Sequence, residues 1–176
     1  GLDAVKKSIV TNDVKSYDVV YPHRMSSDKG IEKLFEIAML VPEVNFVITS
    51  PSGMTPPEIL DKIEKTDNIN IITCKKNSEY YDVISKAKIV LSCASQELYG
   101  YSVAESVLSG CMPILPKSQS YSEFYPSDCL YISAQHAANM IMTCLNQKMS
   151  KTKHNLLCEK INTHTFDYLL DDFLAL

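Results

Sequence analysis

The residues most able to do chemistry lie between Ser92 and Ile114. This segment predicts a buried strand, a loop that holds Glu97 and Gly100, a short helix that holds Glu105, and a second buried strand. Backbone N–H groups at the start of a helix attract anions, and carboxylates accept hydrogen bonds from hydroxyl groups. The segment is therefore typical of a site that holds a sugar attached to a phosphate.

Two cations follow the first predicted strand. Arg24 and Lys29 bracket a short loop that opens a helix, so we expect their charges and the free N–H groups of that helix to converge on one place. Taken alone, the two side chains could equally be solvated charges at a helix start, and Glu105 could be a favourable partner of a helix dipole. The combination of these residues favours a phosphate site.

Short apolar strands that alternate with amphipathic helices must position these residues. Strands are predicted at 17–23, 43–49, 70–74, 89–92, 112–115 and 129–132. Helices are predicted at 29–40, at 56–65, at 79–86 with Ser78 as the N-cap, at 134–147 and at 154–174, besides the short helix that holds Glu105. This alternation predicts an α/β fold: a Rossmann-like, doubly wound, parallel six-stranded sheet with helices on both faces.

Length and charge limit what such a fold can be. With 176 residues, of which 45% are hydrophobic, the chain is long enough for one well-buried domain. We expect a single domain over residues 1–176, with a Rossmann-like core at about 15–150 and a C-terminal helical segment at 151–176. The net charge of −4 provides no global positive field that would draw the domain to nucleic acid or to an anionic membrane. Any bound anion must therefore be held locally.

Cysteine usage and hydropathy indicate the compartment. The six cysteines are scattered without a CxxC pair, which suits free thiols in a reducing, cytoplasmic compartment. The four histidines are equally dispersed, so no metal site is expected. No apolar run approaches the ~20 residues that a membrane helix needs, and the N-terminus has no signal-peptide pattern. We therefore expect a cytoplasmic protein without a membrane span.

Several of these motifs, in this order, resemble one family. The segment 23–30 is similar to that family's arginine and lysine pair at the start of the first helix, and Glu97 and Glu105 resemble its two glutamates separated by seven residues. The likeness extends to Tyr99-Gly100, to 110–115 and to Glu123. Over nearly its whole length, the chain resembles the C-terminal, donor-binding domain of a GT-B fold retaining glycosyltransferase of group 1, similar to family 4.

The resemblance implies a role for each residue. Arg24, Lys29 and Glu97 would be catalytic: the two cations hold the donor diphosphate and stabilise the leaving phosphate, and Glu97 faces the transferred sugar. Glu105, in the first turn of its helix, would accept hydrogen bonds from the ribose. The remaining donor contacts would come from Gly100, Tyr101, Ser102, Ser52, Gly53, Cys74 and Lys75. The implied donor is a nucleotide-diphosphate sugar, and no metal or other cofactor is required.

The resemblance also implies a missing partner. A GT-B enzyme needs an N-terminal acceptor-binding domain, which we do not find in this chain, so we expect the isolated half to bind UDP or GDP weakly and to transfer nothing. A nucleic acid would be a partner only as the acceptor. The sequence departs from the family at 117–121, where a glycine-rich turn is usual, and at 50–53, where a glycine pair is common.

Two other classes of function stay open at this point. A GT-B-fold nucleotide-sugar epimerase or phosphorylase would keep the fold and the phosphate site but change the chemistry. A non-catalytic α/β module, which binds a nucleotide or a partner protein, would keep the fold without the transfer chemistry. His23, Tyr80 and Tyr81 are interpreted as packing or supporting residues in each of these cases.

Overall fold

Six strands form one parallel sheet. The computed structural model describes residues 14–50, 55–147 and 151–163. The sheet order is β3-β2-β1-β4-β5-β6, and every pairing is parallel. The strands are β1 (Tyr17–Tyr21), β2 (Phe46–Ser50), β3 (Ile69–Thr73), β4 (Ala87–Leu91), β5 (Met112–Pro116) and β6 (Leu130–Tyr131). The doubly wound sheet predicted from the sequence is confirmed.

Helices cover both faces of this sheet. They are α1 (Ile31–Leu40), α2 (Pro57–Glu64), α3 (Asn77–Ser85), α4 (Tyr101–Leu108), α5 (Gln119–Phe124), α6 (Ala134–Asn146) and α7 (Lys151–Thr163). Side chains alternate along a strand, so Val19 and Tyr21 pack with α1, α2 and α6, whereas Val20 packs with α3, α4, α5 and α7. The central strand β1 is therefore buried on both sides, as expected of a parallel sheet.

Some predicted boundaries are wrong. Ser78 is not an N-cap, because α3 begins at Asn77 and the carboxylate of Glu79 accepts the N–H groups of Lys75 at 2.7 Å and Lys76 at 3.3 Å. That carboxylate satisfies backbone donors which the helix itself leaves without partners. No helix was predicted between the strands at 112–115 and 129–132, yet α5 begins at Gln119 and leaves only a short loop after β5. The last helix begins at residue 151 instead of 154, and its predicted extension over 164–174 lies outside the described residues.

The strand order changes direction between β1 and β4. These strands are neighbours, with Val19 opposite Ile89, although they are far apart along the chain. From β1 the chain runs outward to β2 and β3, and from β4 it runs outward to β5 and β6. Doubly wound sheets bind their ligands at such a switch point, beyond the carboxyl ends of the strands. A ligand site is therefore expected at the loops after β1 and β4.

Gly30 is where these two loops pack most tightly. Its φ is 73°, and an added Cβ would lie 2.1 Å from the carbonyl oxygen of Cys93. Replacing Gly30 by alanine is expected to lower the free energy of unfolding by about 2–4 kcal/mol, because a left-handed backbone and an overpacked contact both oppose a side chain. Chemical denaturation would measure this loss. Gly110→Ala is the control: its φ of 97° is also left-handed, but the new Cβ would meet only the end of Lys15, at 3.1 Å. Equal losses for the two variants would contradict the tight packing.

Candidate functional site

A cation and a carboxylate from distant parts of the chain meet at the switch point. Lys29, after β1, donates a hydrogen bond from Nζ to Oε2 of Glu97, after β4, at 2.8 Å. The two side chains are 18% and 17% exposed. An ion pair that is mostly shielded from water is stronger than one on the open surface. The structure thus brings two of the three predicted catalytic residues into direct contact.

Backbone contacts hold Lys29 in place. The residue ends a 3₁₀ turn, Ser27–Lys29, and its carbonyl oxygen accepts a hydrogen bond from the hydroxyl of Tyr21 at 2.6 Å. The N–H and Oγ of Ser95 donate to the carbonyl oxygen of Asp28 at 3.2 and 3.3 Å. These bonds join the loop after β1 to the loop after β4. Both loops therefore set the position of the ammonium group.

The other predicted cation, Arg24, is bound within its own loop. Its guanidinium donates to Oδ2 of Asp28 at 2.7 Å and to Oγ of Ser26 at 3.1 Å. Hydrogen bonds from Ser26 and Arg24 lower the pKa of the Asp28 carboxyl to about 2. The Arg24 side chain is 66% exposed, so an anion can reach it without any change in the buried core. The two cations lie on one loop, but only Lys29 is paired with Glu97.

A cavity of about 1050 Å³ opens beside the ion pair. Its walls come from three places: the turn before α1, the loop between β4 and α4, and the start of α5. The lining residues are Asp28, Lys29, Ser95, Gln96, Glu97, Leu98, Tyr99, Tyr101, Ser118, Ser120 and Glu123. Charged groups and hydroxyls therefore line a space of the size that holds a nucleotide-sized ligand. Ser118, directly before α5, and Ser120, within it, lie in the segment 117–121 that departs from the resembled family.

Gly100 lies directly before α4, beside this cavity. The glycine has a left-handed backbone, with φ of 76°, and an added Cβ would lie 3.0 Å from the ring of Tyr121 and 3.4 Å from Cγ of Glu97. Both conformation and packing therefore require a glycine here. Tyr101 and Ser102 follow in the first turn, where the first backbone N–H groups of a helix have no partner within the helix. The predicted phosphate cradle thus has the expected local structure, while its role stays a prediction.

His23 packs against the first turn of α4. The side chain is 5% exposed, its Nδ1 lies 3.4 Å from Oγ of Ser102, and its ring lies edge-on to Tyr21 at 5.1 Å. Burial lowers the pKa of His23 to about 4, so the imidazole is neutral at pH 7. In the part of the chain that the structure describes, Nε2 has no hydrogen-bond partner. His23 is therefore a neutral group between β1 and α4.

Glu105 lies in the second turn of α4, so its predicted position in the first turn is wrong. The helix starts only at Tyr101, because the residue before it is the left-handed glycine. Oε1 of Glu105 accepts a hydrogen bond from the hydroxyl of Tyr81 at 3.3 Å, and burial raises the pKa of the Glu105 carboxyl. The carboxylate is not part of the cavity wall that Lys29 and Glu97 share. The two glutamates therefore have different surroundings.

The loops after β2 and β3 were predicted to lie against the base and ribose. Cys74 donates its N–H to the carbonyl oxygen of Ser50 at 2.8 Å, and the N–H of Lys75 is bound by Glu79. These donors are engaged within the protein, so a base would meet carbonyl oxygens or side chains of this loop. Ser52 and Gly53 lie outside the described residues.

The described residues hold neither a metal cluster nor a membrane-spanning helix. Over residues 14–50, 55–147 and 151–163, no group of three or more His, Cys, Asp or Glu side chains could hold a metal ion. The six cysteines are free thiols, three of them buried. None of the helices in these same ranges is both long and apolar enough to cross a membrane.

Solved structures share this arrangement of strands and helices. The C-terminal domain of LpcC, a glycosyl transferase group 1 family protein from Francisella tularensis, superposes with a TM-score of 0.69 at 17% identity. The superposition covers 90% of this chain and 96% of that domain. The chain has the fold of a GT-B donor-binding domain. This GT-B domain also matches a variant of TarM from S. aureus in complex with fondaparinux, alpha-GlcNAc-glycerol and UDP, with a TM-score of 0.78 at 19% identity, over 94% of this chain and 36% of TarM.

One curated relative is similar to the GT-B domain in sequence. The tRNA-queuosine alpha-mannosyltransferase of Drosophila melanogaster is 25% identical over 161 residues, which are 88% of this chain and 43% of the relative. The chain thus spans less than half the length of that protein. No protein family model matches the GT-B domain. The GT-B fold expected from the sequence is confirmed.

Proposed function

We propose that the GT-B domain is the donor-binding half of a glycosyltransferase, of the hexosyltransferase type, that acts with retention of anomeric configuration. The observation that carries this proposal is the pair formed by Lys29 and Glu97 beside the start of α4. A cation and free helix N–H groups suit a diphosphate, and an adjacent carboxylate suits the hydroxyl groups of a sugar. The donor is therefore a sugar joined to a nucleoside diphosphate.

In the proposed mechanism, Lys29 and Arg24 hold the two phosphates. As the bond between the sugar and the diphosphate breaks, negative charge grows on the leaving phosphate, and these cations stabilise it. Glu97 orients the sugar and stabilises positive charge at the anomeric carbon. The acceptor hydroxyl attacks from the side of the leaving group and gives its proton to a phosphate oxygen. Fixed cations do this work, so the proposed reaction needs no metal ion.

The relative in Drosophila suggests the sugar and the acceptor. By its name, that protein transfers mannose to queuosine in tRNA. We extend both to this chain: the sugar is mannose, and the acceptor is a modified nucleoside of a tRNA. The domain has a net charge of −4, so it has no general attraction for nucleic acid. An N-terminal, acceptor-binding half of the same enzyme would therefore hold the tRNA.

Calorimetry of the complete protein with a panel of nucleoside diphosphates tests the donor site. We expect one of UDP and GDP to bind, and we expect Arg24→Ala and Glu105→Ala each to weaken that binding about tenfold, the effect of losing one charged hydrogen bond. If no nucleotide binds, or if both variants bind like the wild type, the donor site is wrong.

A transfer assay tests the reaction. The complete protein with a mannosyl nucleotide should modify tRNA that contains queuosine, and tRNA that lacks queuosine is the control. A sugar altered in the absence of any acceptor would indicate an epimerase, and free sugar phosphate formed with inorganic phosphate would indicate a phosphorylase.

A further inference from the structure

Helix α3 delivers a tyrosine to the carboxylate of Glu105. The hydroxyl of Tyr81 donates to Oε1 of Glu105 at 3.3 Å, across the gap between α3 and α4. Both side chains are partly buried. The neighbouring hydroxyl of Tyr80 is fully buried and, within the described residues, makes no hydrogen bond. Tyr81 therefore makes the defined hydrogen bond to this carboxylate, and the Tyr80 hydroxyl lies close enough to stabilise its charge as well.

Because Glu105 is partly buried, this hydrogen bond affects both the charge and the orientation of its carboxylate. Burial raises the pKa of the carboxyl, and the tyrosine hydroxyls of α3 oppose this by stabilising the charged form. The titratable groups that face Glu105 are Tyr80 and Tyr81. A partly buried carboxylate with weak support binds hydroxyl groups less well, since it is protonated more easily and its rotamer is less defined. The hydroxyl of Tyr81 counteracts both losses.

The position of the pair in the fold indicates what it serves. Helix α3 follows the loop at Cys74 and Lys75, which is proposed to contact the base, and α4 follows Gly100, which is proposed to contact the phosphates. Glu105 and Tyr81 link the two helices that these loops open. A ribose joins the base to the phosphates, so its hydroxyls belong between those two places.

We propose that Tyr81 is a positioning residue that holds the Glu105 carboxylate for the ribose hydroxyls of the donor. The inference rests on the proposed nucleotide site and deepens it. One carboxylate oxygen is held by the tyrosine, and the other accepts from the 2′- and 3′-hydroxyl groups. Tyr81 thereby helps the site to select a ribonucleotide.

The test is Tyr81→Phe in the complete protein, titrated with the nucleoside diphosphate that the wild type binds and with its 2′,3′-dideoxy form. The variant is expected to bind the ribonucleotide about three- to tenfold more weakly and the dideoxynucleotide as the wild type does. In a Glu105→Gln background, Tyr81→Phe should cause no further change in the ratio of the two affinities. The inference would be overturned if Tyr81→Phe left the ratio of the two affinities unchanged, whether both ligands bind as before or both bind equally more weakly.

The pH dependence of the same ratio separates positioning from a merely structural role. Removing the hydroxyl takes away support for the charged carboxylate, so the pKa of Glu105 rises further in Tyr81→Phe. When the pH is lowered, both proteins should lose their preference for the ribonucleotide as Glu105 becomes protonated. The variant should lose it at a higher pH than the wild type. Titration of the phosphates affects both ligands and cancels in the ratio. Coincident profiles would count against Tyr81, whereas a wild type that binds no nucleotide would overturn the proposed function together with this inference.

Discussion

Lys29→Ala is expected to weaken the binding of the nucleoside diphosphate about 10- to 100-fold and to reduce the rate of transfer by a larger factor, about 10²–10³. The variant loses the shielded cation of the site and leaves Glu97 without its partner at 2.8 Å. That carboxylate then repels the incoming diphosphate. In the proposed mechanism the charge of Lys29 also acts on the leaving phosphate, where negative charge grows, so we expect catalysis to suffer more than binding.

Calorimetry and a transfer assay on the complete protein measure the two effects. The matched control is Lys33→Ala, which removes the same charge from an exposed lysine of α1 that pairs with Glu36. It is expected to change affinity less than twofold, since an exposed charge outside the cavity is screened by solvent. Equal losses in both variants would mean that net charge, and not a diphosphate contact, determines binding.

Glu97→Gln is expected to act in opposite directions on binding and on catalysis. Transfer should fall about 10²-fold, because the variant loses the carboxylate that we propose to orient the sugar and to stabilise positive charge. The affinity for the free nucleoside diphosphate should instead rise about three- to tenfold, since Lys29 is released from its ion pair and a negative charge leaves the site. No general loss of structure would produce a gain in affinity.

The control here is Glu36→Gln, which neutralises an exposed carboxylate outside the cavity. It is expected to change neither quantity. If Glu97→Gln kept the full rate of transfer, Glu97 would not face the sugar. If Glu97→Gln weakened nucleotide binding as Lys29→Ala does, the ion pair would support the diphosphate site instead of competing with the diphosphate for Lys29.

Much of the fold follows from local sequence. Buried parallel strands need continuous apolar runs, and the runs around Val19, Ile48 and Val90 are short and β-branched, so the strands were predicted at nearly their true places. The ends of elements were less predictable. The cap of α3 is set by the reach of the Glu79 side chain, which no propensity scale contains. The start of α4 depends on a left-handed glycine packed against Tyr121.

In the candidate site too, some features follow from local sequence and others from tertiary contacts. The types of its charged residues were visible in the sequence, and their convergence followed from the rule that sites lie at the carboxyl ends of strands. The pairs were not. Lys29 was expected to hold a phosphate or to be a solvated charge at a helix start, yet its partner is Glu97. Tyr81 was interpreted as a packing residue, because the spacing of a tyrosine does not show where its hydroxyl points.

By itself, the sequence determined the class of the fold, the order of its elements and the loops that supply the candidate site, because apolar periodicity and turn residues act over a few neighbouring positions. Only the tertiary structure decided that Lys29 meets Glu97, that Tyr81 meets Glu105, and that the two glutamates occupy different surroundings. Those contacts depend on which strands lie side by side and how helices pack across them. Such distances are set by the whole core.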